Sequence, residues 1–271
     1  MSVRVAAIQM SSGAEVGANL ELAGSLIREA ASDGCRLVAL PENFALMPRQ
    51  ARDKAQHAEE PGRGPIQEFL ANAARRERLW IVGGSLPLRS NDPERVYGGC
   101  AVFDDTGVLR ASYRKIHLFD VDLAVSQESY RESNSMTAGD APVIVETPAG
   151  RLGLSICYDL RFPELFRRYV ADGASLFTVP AAFTAVTGRA HWRTLLAARA
   201  IENLAWVIAP GQWGTHPDGR ATWGHSMIVD PWGTVVAELP DGNGFVAADI
   251  DDAQVMRLRR EFPALANRRL T

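Results

Sequence analysis

A chain of 271 residues is long enough to bury one large core or two small ones. Its apolar fraction of 46% and charged fraction of 23% are ordinary for a soluble globular protein, and a formal charge of -3 leaves no electrostatic footprint for nucleic acid or an anionic membrane surface. Cys35, Cys100 and Cys157 form neither a CxxC pair nor a secreted-type framework, which reads as reduced thiols in a cytoplasmic protein.

The first predicted element is the strand Val3 to Gln9; no secretory leader is expected, and no apolar run is long enough to span a bilayer. Leu20, Leu22, Leu26, Ile27 and Ala30 then give a helical stripe, stopped by Asp33-Gly34. Leu37 to Leu40 is a short apolar strand bounded by Pro41. Pro65 starts a helix with Ile66, Phe69, Leu70 and Ala73 on one face, and Leu79 to Val82 is the next strand. Two further strands, Tyr97 to Phe103 and Val108 to Tyr113, flank an Asp104-Asp105-Thr106-Gly107 turn, a hairpin signature. A polar loop is expected from about Asp120 to Asp140, and a loop of that length inside a compact domain is commonly functional.

Val143 to Val145 leads through Pro148-Ala149-Gly150 into the stretch RLGLSICYDLRFPE. There Leu152, Leu154 and Ile156 alternate with Gly153, Ser155 and Cys157, the period of a strand with one apolar and one small-residue face. Pro163 and Glu164 open a helix immediately afterwards, so Cys157 stands where a strand ends. Strands at Ser175 to Val179, Ala205 to Ala209, Ser226 to Val229, Thr234 to Ala237 and Phe245 to Ile250 follow, with helices at His191 to Asn203 and at the charged C-terminus. With mixed pairing and no linker, the expected organisation is one α/β domain over residues 1–271, two sheets covered by helices.

Glu42 and Lys115 share the position of Cys157, each just past a strand end, and groups of α/β proteins commonly gather at one sheet edge. Taken alone, Cys157 reads as an inert core thiol, Glu42 as a turn residue and Lys115 as part of a surface basic cluster. Together they make a mechanism: a thiol to attack an amide carbonyl, a carboxylate to carry its proton, and an ammonium with the Tyr158 N–H to stabilise the oxyanion. Such a carboxylate is expected to have a raised pKa. The histidines show no zinc spacing, and Gly62-Arg63-Gly64 is not followed by GK[ST].

LPENF around Glu42, YRKIHLFD around Lys115 and ICYDLRFPE around Cys157 resemble the three signature segments of the nitrilase superfamily, the carbon–nitrogen hydrolases. The likeness runs from Val3 to about Arg269, and GRAHWRTLLAARAIEN, GHSMIVDPWGTVVAE and ESNSMTAGD are most similar to the Nit amidases, in particular the deaminated glutathione amidase branch. The resemblance implies a four-layer α-β-β-α sandwich that forms a homodimer or larger homo-oligomer. It implies a thioester on Cys157, Glu42 as general base and Lys115 as oxyanion stabiliser, with no cofactor and no metal. It also implies a second active-site glutamate, matched by Glu132 through ESNS, with Glu128 a competing match.

The implied partner is a small-molecule amide, not nucleic acid or membrane, and deaminated glutathione is the leading expectation. An omega-amidase acting on 2-oxoglutaramate is the alternative; a nitrilase, an N-carbamoyl amidohydrolase and a non-catalytic module are more distant ones. Arg161 is the natural cation for a substrate carboxylate, or else a partner of Asp159 or Glu164. By the same likeness Phe183 and Thr187 line the pocket with Tyr158, while His191 and Trp192 are expected to pack.

Overall fold

Alternation along the first strand sorts the molecule into layers. Val5 and Ala7 join one apolar cluster and Ala6 and Ile8 another, and all four are fully buried. A strand covered on both faces belongs to an internal layer. The computed structural model describes residues 2–123 and 128–270.

Among the described residues, seven strands build the first sheet. Gly244–Ile250, Val3–Gln9, Leu37–Ala39, Trp80–Val82, Val96–Phe103 and Leu86–Arg89 lie side by side, and Leu109–Arg114 pairs with Val96–Phe103. Val3–Gln9, Leu37–Ala39 and Trp80–Val82 run parallel. Six strands build the second, in the order Val235–Leu239, Ser226–Val229, Trp206–Ala209, Leu176–Thr178, Gly150–Leu154, Ile144–Thr147.

Ile8, Val38 and Ile81 meet the apolar stripes of the helices Val16–Ser32 and Pro65–Glu77, namely Ala23, Leu26, Ile27 and Ile66, Leu70, Ala73. The opposite face of that sheet, with Val5, Leu37, Val82 and Val102, packs into one continuous core with Leu152, Leu154, Val207 and Ile228 of the second sheet. That core continues to Leu165, Phe166, Trp192 and Leu196 on the helices Pro163–Ala171 and Ala185–Asn203. The order is helix, sheet, sheet, helix, as expected. Each fully buried Leu or Ile in these layers contributes roughly 1.5–3 kcal/mol. The small-residue face before Cys157 has a packing reason: a Cβ at Gly153 would come within 2.8 Å of the Tyr169 ring.

Three expectations change. The polar stretch after Asp120 is not one loop: Asp120–Leu123 pairs antiparallel with Glu128–Arg131, and a 3₁₀ turn, Glu132–Asn134, follows. Val121, Leu123 and Tyr130 alternate with charged residues there, a short two-strand pattern hidden by its polarity. Gln127, part of the expected loop, lies outside the described residues. The helix expected from His191 begins at Ala185, where the Thr184 hydroxyl accepts the Thr187 N–H. Gly188 masks that first turn in the sequence; it is buried, packed beneath Trp223. Finally, Trp213–Thr215 and Ala221–Trp223 form a hairpin that was not anticipated.

Candidate active site

Three chain segments leave the two sheets toward one place, and each is fixed by a local backbone device. Glu42 follows Leu37–Ala39 through Leu40 and Pro41. Asn43 is held at a φ of 56° and donates its N–H to Ser85 Oγ at 2.8 Å. Gly84 runs so close that a Cβ would sit 2.0 Å from the Pro41 carbonyl oxygen, and its φ of +52° suits glycine. Gln212 Nε2 donates to the Glu42 carbonyl at 3.0 Å, which ties this segment to the second sheet.

Lys115 stands one residue beyond Leu109–Arg114, with its N–H on the Gly98 carbonyl at 2.9 Å and its own carbonyl accepting from Gly139 at 2.7 Å. The side chain turns inward and is only 2% exposed.

Cys157 opens a 3₁₀ turn, Cys157–Arg161, at a φ of 48°, the left-handed region. Such a backbone costs a residue with a Cβ roughly 1–2 kcal/mol, so the surroundings must over-determine it. They do. The Cys157 N–H donates to the Pro180 carbonyl at 2.8 Å. The fully buried Asp159 carboxylate accepts from the Ile156 N–H at 2.8 Å, the Tyr113 hydroxyl at 2.7 Å and the His117 N–H at 3.0 Å. Asp159 thereby ties the Cys157 turn to the segment that carries Lys115. Arg199 donates to the Leu160 carbonyl at 3.0 Å from the helix behind.

These devices bring four side chains together. Lys115 Nζ lies 2.8 Å from Glu42 Oε1 and 2.9 Å from both Glu132 carboxylate oxygens. The other Glu42 oxygen accepts the Ala182 N–H at 2.9 Å, and Glu132 Oε2 accepts the Phe119 N–H at 2.7 Å. The Cys157 thiol opens onto the same cavity and feels the charges of Glu42 and Lys115. Glu132, rather than Glu128, is the glutamate on Lys115.

Electrostatics fix the resting charges. Burial opposes ionisation of Glu42, but the charge and hydrogen bond of Lys115 outweigh it and hold the carboxyl below its ordinary range. This reverses the expected raised pKa: the cation is in direct contact, and direct contact beats desolvation. Burial also opposes the charge of Lys115, and Glu132 with Glu42 overcomes it, so the ammonium is held well above the ordinary lysine value. Burial and the Glu42 charge push the Cys157 thiol well up, against Lys115. The thiol at rest is therefore neutral, in the field of an ionised carboxylate. Cys35 and Cys100, both buried as expected, are pushed up by desolvation to about 11 and about 12 and lie in the apolar clusters.

A cavity of about 230 Å³ opens onto Glu42, Lys115, Glu132 and Cys157. Tyr158, Arg161, Phe183 and Thr187 all line it. The Tyr158 amide lies in the first turn of the 3₁₀ segment, where backbone donors lack intrahelical acceptors. Arg161 pairs with neither Asp159 nor Glu164. It donates to His191 Nδ1 at 3.3 Å and lies over the Phe183 and Tyr158 rings. Phe183 serves both packing and pocket, since it also meets Trp192. His191 is exposed, and its contact with Arg161 corrects the expectation that it only packs. Three pocket cations were missed, Arg131, which pairs with Asp122, and Lys54 and Arg220. Lys54 and Arg220 belong to no periodic pattern or motif; Lys54 comes from a 3₁₀ turn and Arg220 from the unanticipated hairpin.

The family model for carbon–nitrogen hydrolases matches residues 4–260. The deaminated glutathione amidase of Yersinia enterocolitica is 41% identical over 269 residues, covering 99% of this chain and 93% of that protein. The C. elegans NitFhit protein superposes with a TM-score of 0.91 at 38% identity over 99% of this chain, which spans 65% of that one. A mutant amidase from Nesterenkonia, solved with acrylamide added to its active-site cysteine, aligns with a TM-score of 0.80 at 25% identity, covering 97% of this chain and 99% of that one.

Proposed function

This chain belongs to the carbon–nitrogen hydrolase family, and we propose that its site hydrolyses deaminated glutathione to 2-oxoglutarate and cysteinylglycine through a thioester on Cys157. The observation that carries the catalytic part is the contact set itself: an ammonium locked between Glu42 and Glu132, on one cavity with the neutral thiol of Cys157. Cys157 Sγ attacks the amide carbonyl as its proton passes to Glu42. Lys115 and the Tyr158 N–H stabilise the oxyanion. Glu42 then gives the proton to the departing amine nitrogen as the C–N bond breaks, which leaves the thioester. A water molecule loses a proton to Glu42 and attacks the thioester carbonyl; the carboxylic acid departs and the proton returns to sulfur. Glu132 keeps Lys115 charged and aimed.

The substrate part rests on the cations of the pocket and on the activity named for the Yersinia relative. Arg161 offers a guanidinium with no carboxylate partner beside Phe183 and Thr187, suited to the 2-oxo acid end of the acyl group. 2-Oxoglutaramate has the same acyl end, so an omega-amidase is the second reading. Assays of both amides decide: kcat/KM for deaminated glutathione is expected to exceed that for 2-oxoglutaramate at least about tenfold, roughly one added charged contact. A preference for the smaller amide overturns the substrate assignment.

The same proposal includes a cytoplasmic homodimer. Ile201, Trp232 and Phe262, 51%, 61% and 49% exposed, gather beside the turn at Gly233 and form an apolar face. Light scattering at twice 29.5 kDa is expected; a monomer at assay concentrations contradicts it.

A further inference from the structure

The cavity carries more positive charge than the proposed chemistry uses. Lys115 is saturated by Glu42 and Glu132. Arg131 is closed off by Asp122, and Arg220 lies 3.6 Å from Asp218. Among the described residues lining the cavity, that leaves Arg161 and Lys54 as cations with no carboxylate within ion-pair distance.

Lys54 comes from the 3₁₀ segment Ala51–His57, which follows Glu42 in the chain. It is half-buried, and among the described residues its ammonium is hydrogen-bonded to Met136 Sδ alone, at 4.0 Å. Burial pushes its pKa down; the fields of Glu132 and Glu42 oppose that, while Arg220 and Lys115 add to it. An ammonium withdrawn from water without a counter-charge is costly, and an arriving anion offsets that cost.

The two free cations come from different segments of the cavity wall. Arg161 shares the turn of Cys157 and lies over the Phe183 ring. Lys54 follows Glu42 in the chain and reaches Met136, whose N–H donates to the Glu132 carbonyl, while Glu42 must face the amine nitrogen in order to protonate it. We propose that Lys54, supported by Arg220, is a specificity-determining residue that binds a carboxylate carried on the departing amine. The site is then built for an amide with an anionic group on each side of the scissile bond, a small acidic peptide-like amine on one and an oxo acid on the other. This rests on the amide-hydrolysis reading and deepens it.

The test is the preference of the full-length enzyme for deaminated glutathione over the same compound with its terminal carboxylate converted to a carboxamide. The wild-type kcat/KM ratio is expected to be about tenfold or more, mostly in KM. Lys54→Met is expected to reduce that ratio to about threefold or less, and Lys54→Arg to keep most of it. A ratio near one in the wild type, or a wild-type ratio that persists in Lys54→Met, overturns the proposal. Failure of the substrate reading looks different: the wild type then turns over neither compound but does hydrolyse another amide. The same acid-to-carboxamide ratio, measured on the amine half of that amide, then decides the role of Lys54 by the same two outcomes.

Discussion

Replacing Lys115 with Met is expected to lower kcat/KM at least about a thousandfold, the scale of a lost oxyanion donor in a water-excluded site. The substitution removes the charge with little change of volume, so the packing around the side chain survives. It does more than remove the proposed oxyanion donor. Lys115 Nζ touches Glu42 and Glu132 at 2.8 and 2.9 Å in a region where the lysine is 2% exposed. Without the cation, two carboxylates face each other with no counter-charge, and breaking a buried pair in this way typically costs about 3–5 kcal/mol.

The pH dependence follows with a definite sign. In the native protein Glu42 titrates below its ordinary value, so its contribution to stability is present above that value and is lost as pH falls through the depressed one. Lys115 titrates above its ordinary value, so its contribution is complete at neutral pH and is lost only in strong alkali, as pH rises through the elevated value. In Lys115→Met the depressing cation is gone and burial alone acts on Glu42, which raises its pKa. Protonation then relieves the site, and the stability gap to wild type narrows as pH is lowered from about 7 to about 5. Denaturant melts at both pH values, beside an assay at neutral pH, read all of this. A variant that is fully active, or whose gap widens in acid, contradicts the assigned charges.

Cys157→Ala separates chemistry from stability. Turnover is expected to fall by about 10⁴–10⁶, the range for removal of a covalent nucleophile. Stability is expected to change by less than about 1 kcal/mol. The reasons are local. Alanine suffers the same left-handed backbone as cysteine, and the turn is held by Pro180, Asp159 and Arg199, none of which contacts the sulfur as a hydrogen-bond partner. The loss of one sulfur beside an open cavity leaves little to collapse. An unfolding midpoint equal to wild type with no measurable hydrolysis is the expected pair of results. Residual turnover of more than a few per cent removes Cys157 from the mechanism.

The contrast between these variants shows which parts of the site were legible in the sequence. Glu42, Lys115 and Cys157 could be placed just past strand ends, and their joint role came from the likeness of LPENF, YRKIHLFD and ICYDLRFPE to the carbon–nitrogen hydrolases. The four layers were implied by the likeness to the carbon–nitrogen hydrolases; the apolar run through Val5 to Ile8 marked only a core strand. The charge state of Glu42 could not be read. It depends on a 2.8 Å contact with Lys115, residues 42 and 115 being joined only by the fold. The ESNS likeness favoured Glu132 over Glu128, and the structure puts Glu132 on Lys115. Lys54 and Arg220 left no trace in the sequence: single basic residues in polar segments look like solvated surface until the segments fold over a cavity. Asp159 is a similar case, an acidic residue beside the nucleophile that turns out to be fully buried and to staple two chain segments.

The most direct test of the thioester mechanism is intact-mass and peptide-mass spectrometry of the enzyme quenched in acid during turnover of deaminated glutathione. The predicted result is a mass increase equal to the 2-oxoglutaryl acyl group, located on the peptide that carries Cys157, discharged by hydroxylamine as the hydroxamate and absent from Cys157→Ala. A turning-over enzyme that never carries an acyl group on Cys157, or an adduct that persists in Cys157→Ala, contradicts it.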